Sequence, residues 1–151
     1  MMCAPAVRRF VPAHDSSRKL ILIVEDDGDL RAMFRWILAT SGFDVREAGD
    51  GYEALVLLEQ HPPDLVVLDL GLPRVDGLSV QAEIAAQVVT RDIPVVIVTA
   101  ARLDLTHLDV ACVLRKPVDA DELVATVQRC LVSRSPAAGA SGARGVRDRA
   151  T

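Results

Sequence analysis

The sequence predicts an α/β protein built on a doubly wound, five-stranded parallel sheet. Three observations carry that prediction. Continuous apolar runs stand at "LILIV" (20–24), "LVVLDL" (65–70) and "IPVVIVTA" (93–100). Runs of this kind suit strands buried on both faces, because a strand with one wet face alternates polar and apolar residues. Helical periodicity fills the stretches between them, and the links are short, as βαβ units require.

The first strand, 20–24, runs into Glu25, Asp26 and Asp27. Leu30, Met33, Phe34, Ile37 and Leu38 then repeat at helical spacing, and Gly42 ends that helix. Trp36 falls off the main apolar stripe and is expected to be partly buried. "FDVREA" (43–48) is a weaker strand, and "DGYEALVLLEQ" (50–60) is a helix stopped by Pro62 and Pro63. Gly49 and Gly51 flank Asp50 as turn residues at its start. The third strand, 65–70, leads to a helix over "VDGLSVQAEIAAQV" (75–88). After the fourth strand only 16 residues separate Thr99 from Lys116, to hold a turn, a helix and a strand. "LDLTHLD" (103–109) leaves room for about two helical turns at most. "CVLRKP" (112–117) is the fifth strand candidate. "DADELVATVQRCLV" (119–132) is the last helix, with Asp119 or Asp121 available to cap it.

Length, charge and cysteine usage bound the function. The 151 residues suit one ordinary domain. Arg8, Arg9, Arg18 and Lys19 against Asp15 give residues 1–19 a net charge of +3, and Arg134, Arg144, Arg147 and Arg149 against Asp148 give residues 133–151 the same. The whole chain is −4, so the segment from Leu20 to Val132 carries −10. An acidic centre argues against nucleic-acid binding and for cations or basic partners. Both ends lack apolar periodicity and read as disordered tails, 1–18 and 133–151, around a domain over 19–132. Cys3, Cys112 and Cys130 form no CxxC pair, which fits a reducing cytoplasm, and the latter two read as small core residues. No signal-peptide or membrane-span pattern is present. His14, His61 and His107 share no ligand or relay spacing and read as surface residues.

In a parallel sheet, ligands bind at the carboxyl ends of the strands. Glu25 and Asp26 end the first strand, Asp69 lies near the end of the third, Thr99 ends the fourth and Lys116 follows the fifth. Parallel strands therefore bring all five to one edge. Crowded carboxylates are costly unless a hard cation sits among them, and an all-oxygen site shared with phosphate favours magnesium. A carboxylate beside a metal and a lysine is poised to attack phosphorus.

The motifs "IVEDD", "LVVLDLGLPRVDG", "VIVTA" and "LRKP", in this order, closely resemble the receiver domain of two-component response regulators over roughly Lys19 to Val132. The resemblance implies a flavodoxin-like sheet in the order 2-1-3-4-5. It implies that Asp69 accepts a phosphoryl group from a histidine kinase, a histidine phosphotransfer protein or a small acyl phosphate. Asp26, Asp69 and the backbone carbonyl of Gly71 would bind Mg2+ directly, with Glu25 acting through water. Lys116 would pair with the carboxylate and then the phosphoryl group, Thr99 would move to hydrogen-bond the phosphate, and Lys116–Pro117 would be a cis peptide. Asp27 would simply begin the first helix and suit its dipole.

The chain departs from the pattern in two places. Val113 stands where receivers commonly carry an aromatic switch residue, and a valine cannot swing a ring. The segment "AARLDLTHLDVACVL" is several residues short, so the fourth helix is expected to be shortened or irregular. Output would then use another surface, or residues 101–110 would form a mobile loop that folds on a partner. Gly71 and Ala101 occupy positions that tune phosphoryl lifetime in the family; both are small and leave space for water. With no helix-turn-helix, cyclase or hydrolase domain expected after Val132, the chain reads as a stand-alone receiver acting on an unknown downstream protein. It is not expected to turn over an external substrate. The rivals are a receiver-like scaffold working without phosphorylation, an aspartyl phosphohydrolase, and a flavodoxin-like electron carrier. The hydrolase reading lacks a second acid at Gly71, and the flavin reading lacks a hydroxyl-rich phosphate loop where "EDDGD" stands.

Overall fold

A computed structural model describes residues 17–133. The expected tails lie outside the described residues except at their inner ends: Ser17 and Arg18 form a turn, and Ser133 closes the last helix. Among the described residues, five strands and four helices follow in the order β1 (Leu20–Val24), α1 (Gly28–Thr40), β2 (Asp44–Ala48), α2 (Gly51–Gln60), β3 (Leu65–Leu68), α3 (Gly77–Ala86), β4 (Val95–Thr99), β5 (Cys112–Arg115) and α4 (Ala120–Ser133). All pairings are parallel and the strand order is β2-β1-β3-β4-β5, the flavodoxin-like arrangement.

The apolar runs hide a period of two. Ile21 and Ile23, Leu65 and Val67, and Val96 and Val98 face one side of the sheet, where Phe34, Ile37 and Leu38 of α1 meet Leu123, Val127 and Cys130 of α4. Leu22 and Val24, Val66 and Leu68, and Val95 and Ile97 face the other, under Ala54 and Leu58 of α2 and Val80 and Ile84 of α3. Alternation along a strand divides its side chains between two cores, and because both are dry the sequence shows no alternation at all. Trp36 is not partly buried: it is 69% exposed. Phe34, Ile37 and Leu38 fill the sheet-facing stripe of α1, and Trp36 projects from the other side. Cys130 is buried as expected, whereas Cys112, on the edge strand β5, is only half-buried.

Aspartates set the helix starts. Asp27 accepts from the amides of Asp29 and Leu30, Asp50 from Glu53 and Asp76 from Ser79, which satisfies donors that have no partner within the helix. Asp119 accepts from the Asp121 amide before α4. Capping by Asp76 explains why α3 begins at Gly77 and not at residue 75; it ends early because Gln87 is extended. Gly51 permits a close approach: a Cβ there would lie 1.9 Å from the Val75 carbonyl oxygen.

The segment between β4 and β5 contains no helix, so even the two turns allowed over 103–109 are absent. Its backbone is held sideways instead. The Arg115 guanidinium donates to the carbonyls of Ala101 and Leu103, the Gln81 amide donates to the Asp109 carbonyl at 2.6 Å, and Asp104 accepts from both the amide and the hydroxyl of Thr106. These bonds engage groups that helical hydrogen bonding would otherwise use. Leu105 is buried beneath the segment and Leu108 and Val110 pack beside it.

Candidate functional site

Three backbone hydrogen bonds carry the ladder one step past the strand ends. Glu25 N donates to Ala48 O, Asp69 N to Val24 O and Lys116 N to Thr99 O, at 3.0–3.1 Å. They tie each site residue to a neighbouring strand before the chain turns away. Glu25, Asp26, Asp69, Thr99 and Lys116 consequently meet at one edge, as the sequence predicts. Carboxylate oxygens of Glu25, Asp26 and Asp69 all lie within 4.8 Å of one another.

Burial and charge differ sharply across the cluster. Glu25 is 2% exposed and Asp69 7%, whereas Asp26 is exposed. Lys116 Nζ lies 3.1 Å from both carboxylate oxygens of Glu25 and 3.4 Å from Asp69 Oδ2. Burial raises the Glu25 carboxyl to about 7; the Lys116 hydrogen bond opposes this and the Asp69 charge adds to it. Burial alone would lower the Lys116 ammonium, but the Glu25 hydrogen bond and the two carboxylate charges outweigh it and hold it above its ordinary value. One ammonium thus serves two buried acids. That leaves a negative site open to a further cation.

The donor set fits such a cation. Hard carboxylate oxygens gathered within 4.8 Å of one another suit magnesium in their chemistry. Asp69 Oδ1 also accepts from the Gly71 amide at 3.2 Å, which fixes the carboxylate plane. Thr99 is buried and its Oγ1 accepts from the Ala101 amide at 3.0 Å. Asp69, Gly71, Thr99, Ala101, Leu103 and Lys116 line a cavity of about 440 Å³, ample for a phosphoryl group. The Lys116–Pro117 peptide is cis.

Val113 lies apart from this cluster. It lines a second cavity of about 270 Å³ with Leu103, Leu105 and Arg115, under the segment that replaces a helix. Three contributors escaped the sequence reading. Arg31 Nη1 donates to the Glu25 carbonyl at 2.8 Å. Arg115 ties down the segment after Thr99. Gly77 lies against the Asp69 backbone, where a Cβ would come 2.4 Å from the Asp69 carbonyl oxygen. Only Gly77 left a signal, since glycine inside a helix start is unfavourable and needs a reason.

Comparison with known proteins shows the family and the fold. The sequence pattern of the response regulator receiver domain matches residues 21–128. Response regulator MprA of Mycobacterium sp. (strain KMS) is 37% identical over 127 residues, covering 79% of this chain and 53% of its own length. The transcriptional regulatory protein PdtaR of Mycobacterium tuberculosis is 43% identical over 81 residues, 53% of this chain and 38% of PdtaR. The chain therefore spans about half the length, or less, of these relatives. Among solved structures, a sensor protein from Polaromonas sp. JS666 superposes with a TM-score of 0.72 at 28% identity, covering 78% of this chain and 99% of that one. A putative response regulator from Chloroflexus aurantiacus J-10-fl gives 0.71 at 29% identity, covering 76% and 98%.

Proposed function

Because the chain belongs to the response regulator receiver domain family, we propose that it works as a phosphorylation-controlled interaction module with Asp69 as acceptor. The observation that carries this reading is the placement of Lys116 Nζ against both Glu25 and Asp69, at the mouth of a cavity that also holds Thr99.

An Asp69 carboxylate oxygen attacks the phosphorus of a phosphohistidine, on a histidine kinase or phosphotransfer protein, or of a small acyl phosphate. The new O–P bond forms as the bond to the imidazole nitrogen or acyl oxygen breaks, and the leaving group departs with that electron pair. Asp26, Asp69 and the Gly71 carbonyl would hold magnesium, with Glu25 acting through water. The metal, when bound, neutralises charge on the phosphoryl oxygens. Lys116 exchanges its contact with the carboxylate for one with the phosphoryl group. Thr99 gives up its role as acceptor for the Ala101 amide and donates to a phosphoryl oxygen. Gly71 and Ala101 leave room for the water that hydrolyses the product back to carboxylate and inorganic phosphate.

The chemistry is confined to phosphorylation of the protein's own carboxylate and hydrolysis of the aspartyl phosphate. Output is protein–protein interaction, and the setting is the cytoplasm, where such kinases present phosphohistidine. No helix among the described residues is long and apolar enough to cross a membrane. Incubation with magnesium and a small acyl phosphate, followed by a phosphate-affinity gel, tests the reading. A magnesium-dependent shifted band is expected in the wild type and absent in Asp69→Asn. No band in a wild type that binds magnesium favours a scaffold that works without phosphorylation.

A further inference from the structure

Glu25 and Asp26 are consecutive residues at the end of a strand. In extended backbone their side chains would point to opposite faces of the sheet. Yet one carboxylate is buried, its neighbour is exposed, and their oxygens lie within 4.8 Å of each other beside Asp69. The chain must therefore leave strand geometry at the peptide that joins them. The β1 ladder ends just before it, with Glu25 N on Ala48 O, and α1 begins just after it, at the Asp27 cap.

We infer that Arg31 is a positioning residue that locks this peptide and so sets the affinity of the acidic site for a divalent cation. Its Nη1 donates to the Glu25 carbonyl at 2.8 Å, the oxygen of the very peptide that must turn. The guanidinium is anchored from behind, because Nε pairs with Glu47 of β2 at 3.4 Å, and Glu47 also meets Arg35 at 3.5 Å. Gly49 lies beside its seat: a Cβ there would come within 3.3 Å of Nη1, a tight contact that would press on the guanidinium. Arg31 thus joins α1, the end of β1 and β2 through a planar fork that lysine cannot reproduce. Preorganising the acid pair before a cation arrives is the role that outer groups play around metal ligands.

The inference rests on the acids binding magnesium, and charge alone would argue the opposite way. A guanidinium near a cation site repels the cation, so its removal should tighten binding if Arg31 acted only as a charge. A positioning role predicts weaker binding. Magnesium is titrated calorimetrically into the 151-residue, unphosphorylated wild type, Arg31→Ala and Arg31→Lys at constant ionic strength, with circular dichroism to verify folding. The dissociation constant should rise by about tenfold in Arg31→Ala. In Arg31→Lys, which keeps the charge and the fold, it should rise by about threefold or more. Saturating magnesium should restore the rate of phosphorylation by acyl phosphate in both variants, since the reacting groups are intact. Unchanged or tighter binding in the variants overturns the role of Arg31. A wild type that takes up no magnesium instead overturns the reading of the acidic site. If Arg31→Ala does not fold, Arg31→Lys alone decides, with the same two outcomes.

Discussion

Lys116 is the residue on which the acidic edge turns. Two carboxylates as buried as Glu25 and Asp69 cannot both stay ionised without a cation, and Lys116 reaches both. The compromise shows in Glu25, which burial holds at about 7 against an ordinary 4.5. The folded protein therefore binds this proton more tightly than the unfolded chain does. Its stabilising contribution is fully present below about 4.5 and is lost as pH rises through about 7. In metal-free buffer, Glu25→Gln should thus gain on the wild type as pH is raised from about 5.5 to about 8. Urea denaturation at the two pH values checks this; a stability difference that does not vary with pH would place the Glu25 pKa in the ordinary range.

Among the elements, the segment between β4 and β5 departs most from a regular βαβ unit. Sequence length alone predicts that a full helix cannot fit there, but not what takes its place. The structure answers with side chains: Arg115 holds the Ala101 and Leu103 carbonyls, and Gln81 holds that of Asp109. Leu105 anchors the middle in the core. The segment is a tethered strap across the sheet edge, and it begins at the residue whose amide Thr99 accepts. Any movement of Thr99 towards a phosphoryl group would reach the strap first. Hydrogen exchange should show Ala101 and Leu108, whose amides are bonded, slower than Arg102 and Asp104, and all of them faster than β4. Arg115→Ala should speed exchange across 101–105 by about tenfold while β4 is unchanged; equal rates in the two proteins would remove Arg115 from the tether.

For the molecule as a whole, two cores on opposite faces of one sheet hold the strand ends in place while the site at their edge stays negative. That division lets ligand binding report on global stability. A cation bound only by the folded state stabilises it by about 1.4 kcal/mol at ten times its dissociation constant. Magnesium should then raise the melting temperature by a few degrees, roughly 4–8 °C for a domain of this size. Asp26→Asn should abolish most of the increase, and an equal shift in both proteins would place the cation elsewhere.

Much of this was legible in the residues themselves. Unbroken apolar runs, with Asp27 opening the first helix and Asp119 before the last, specify the strands, these two helix starts and the parallel sheet, because burial and capping are local demands that individual residue types meet; the start of α3 at the Asp76 cap escaped the sequence reading. The order of acids, threonine and lysine at strand ends also determines which side chains converge, since parallel strands share an edge. Other features depend on neighbours far along the chain. Trp36 lies outside the core because Phe34, Ile37 and Leu38 already fill the stripe that faces the sheet. The strap exists because Arg115 and Gln81 reach its carbonyls from β5 and α3. The turn that brings Glu25 and Asp26 to one site is held by Arg31 from α1 and braced from β2. Periodicity and composition record what each residue prefers; which carbonyl a guanidinium finds is decided only when distant segments meet in space.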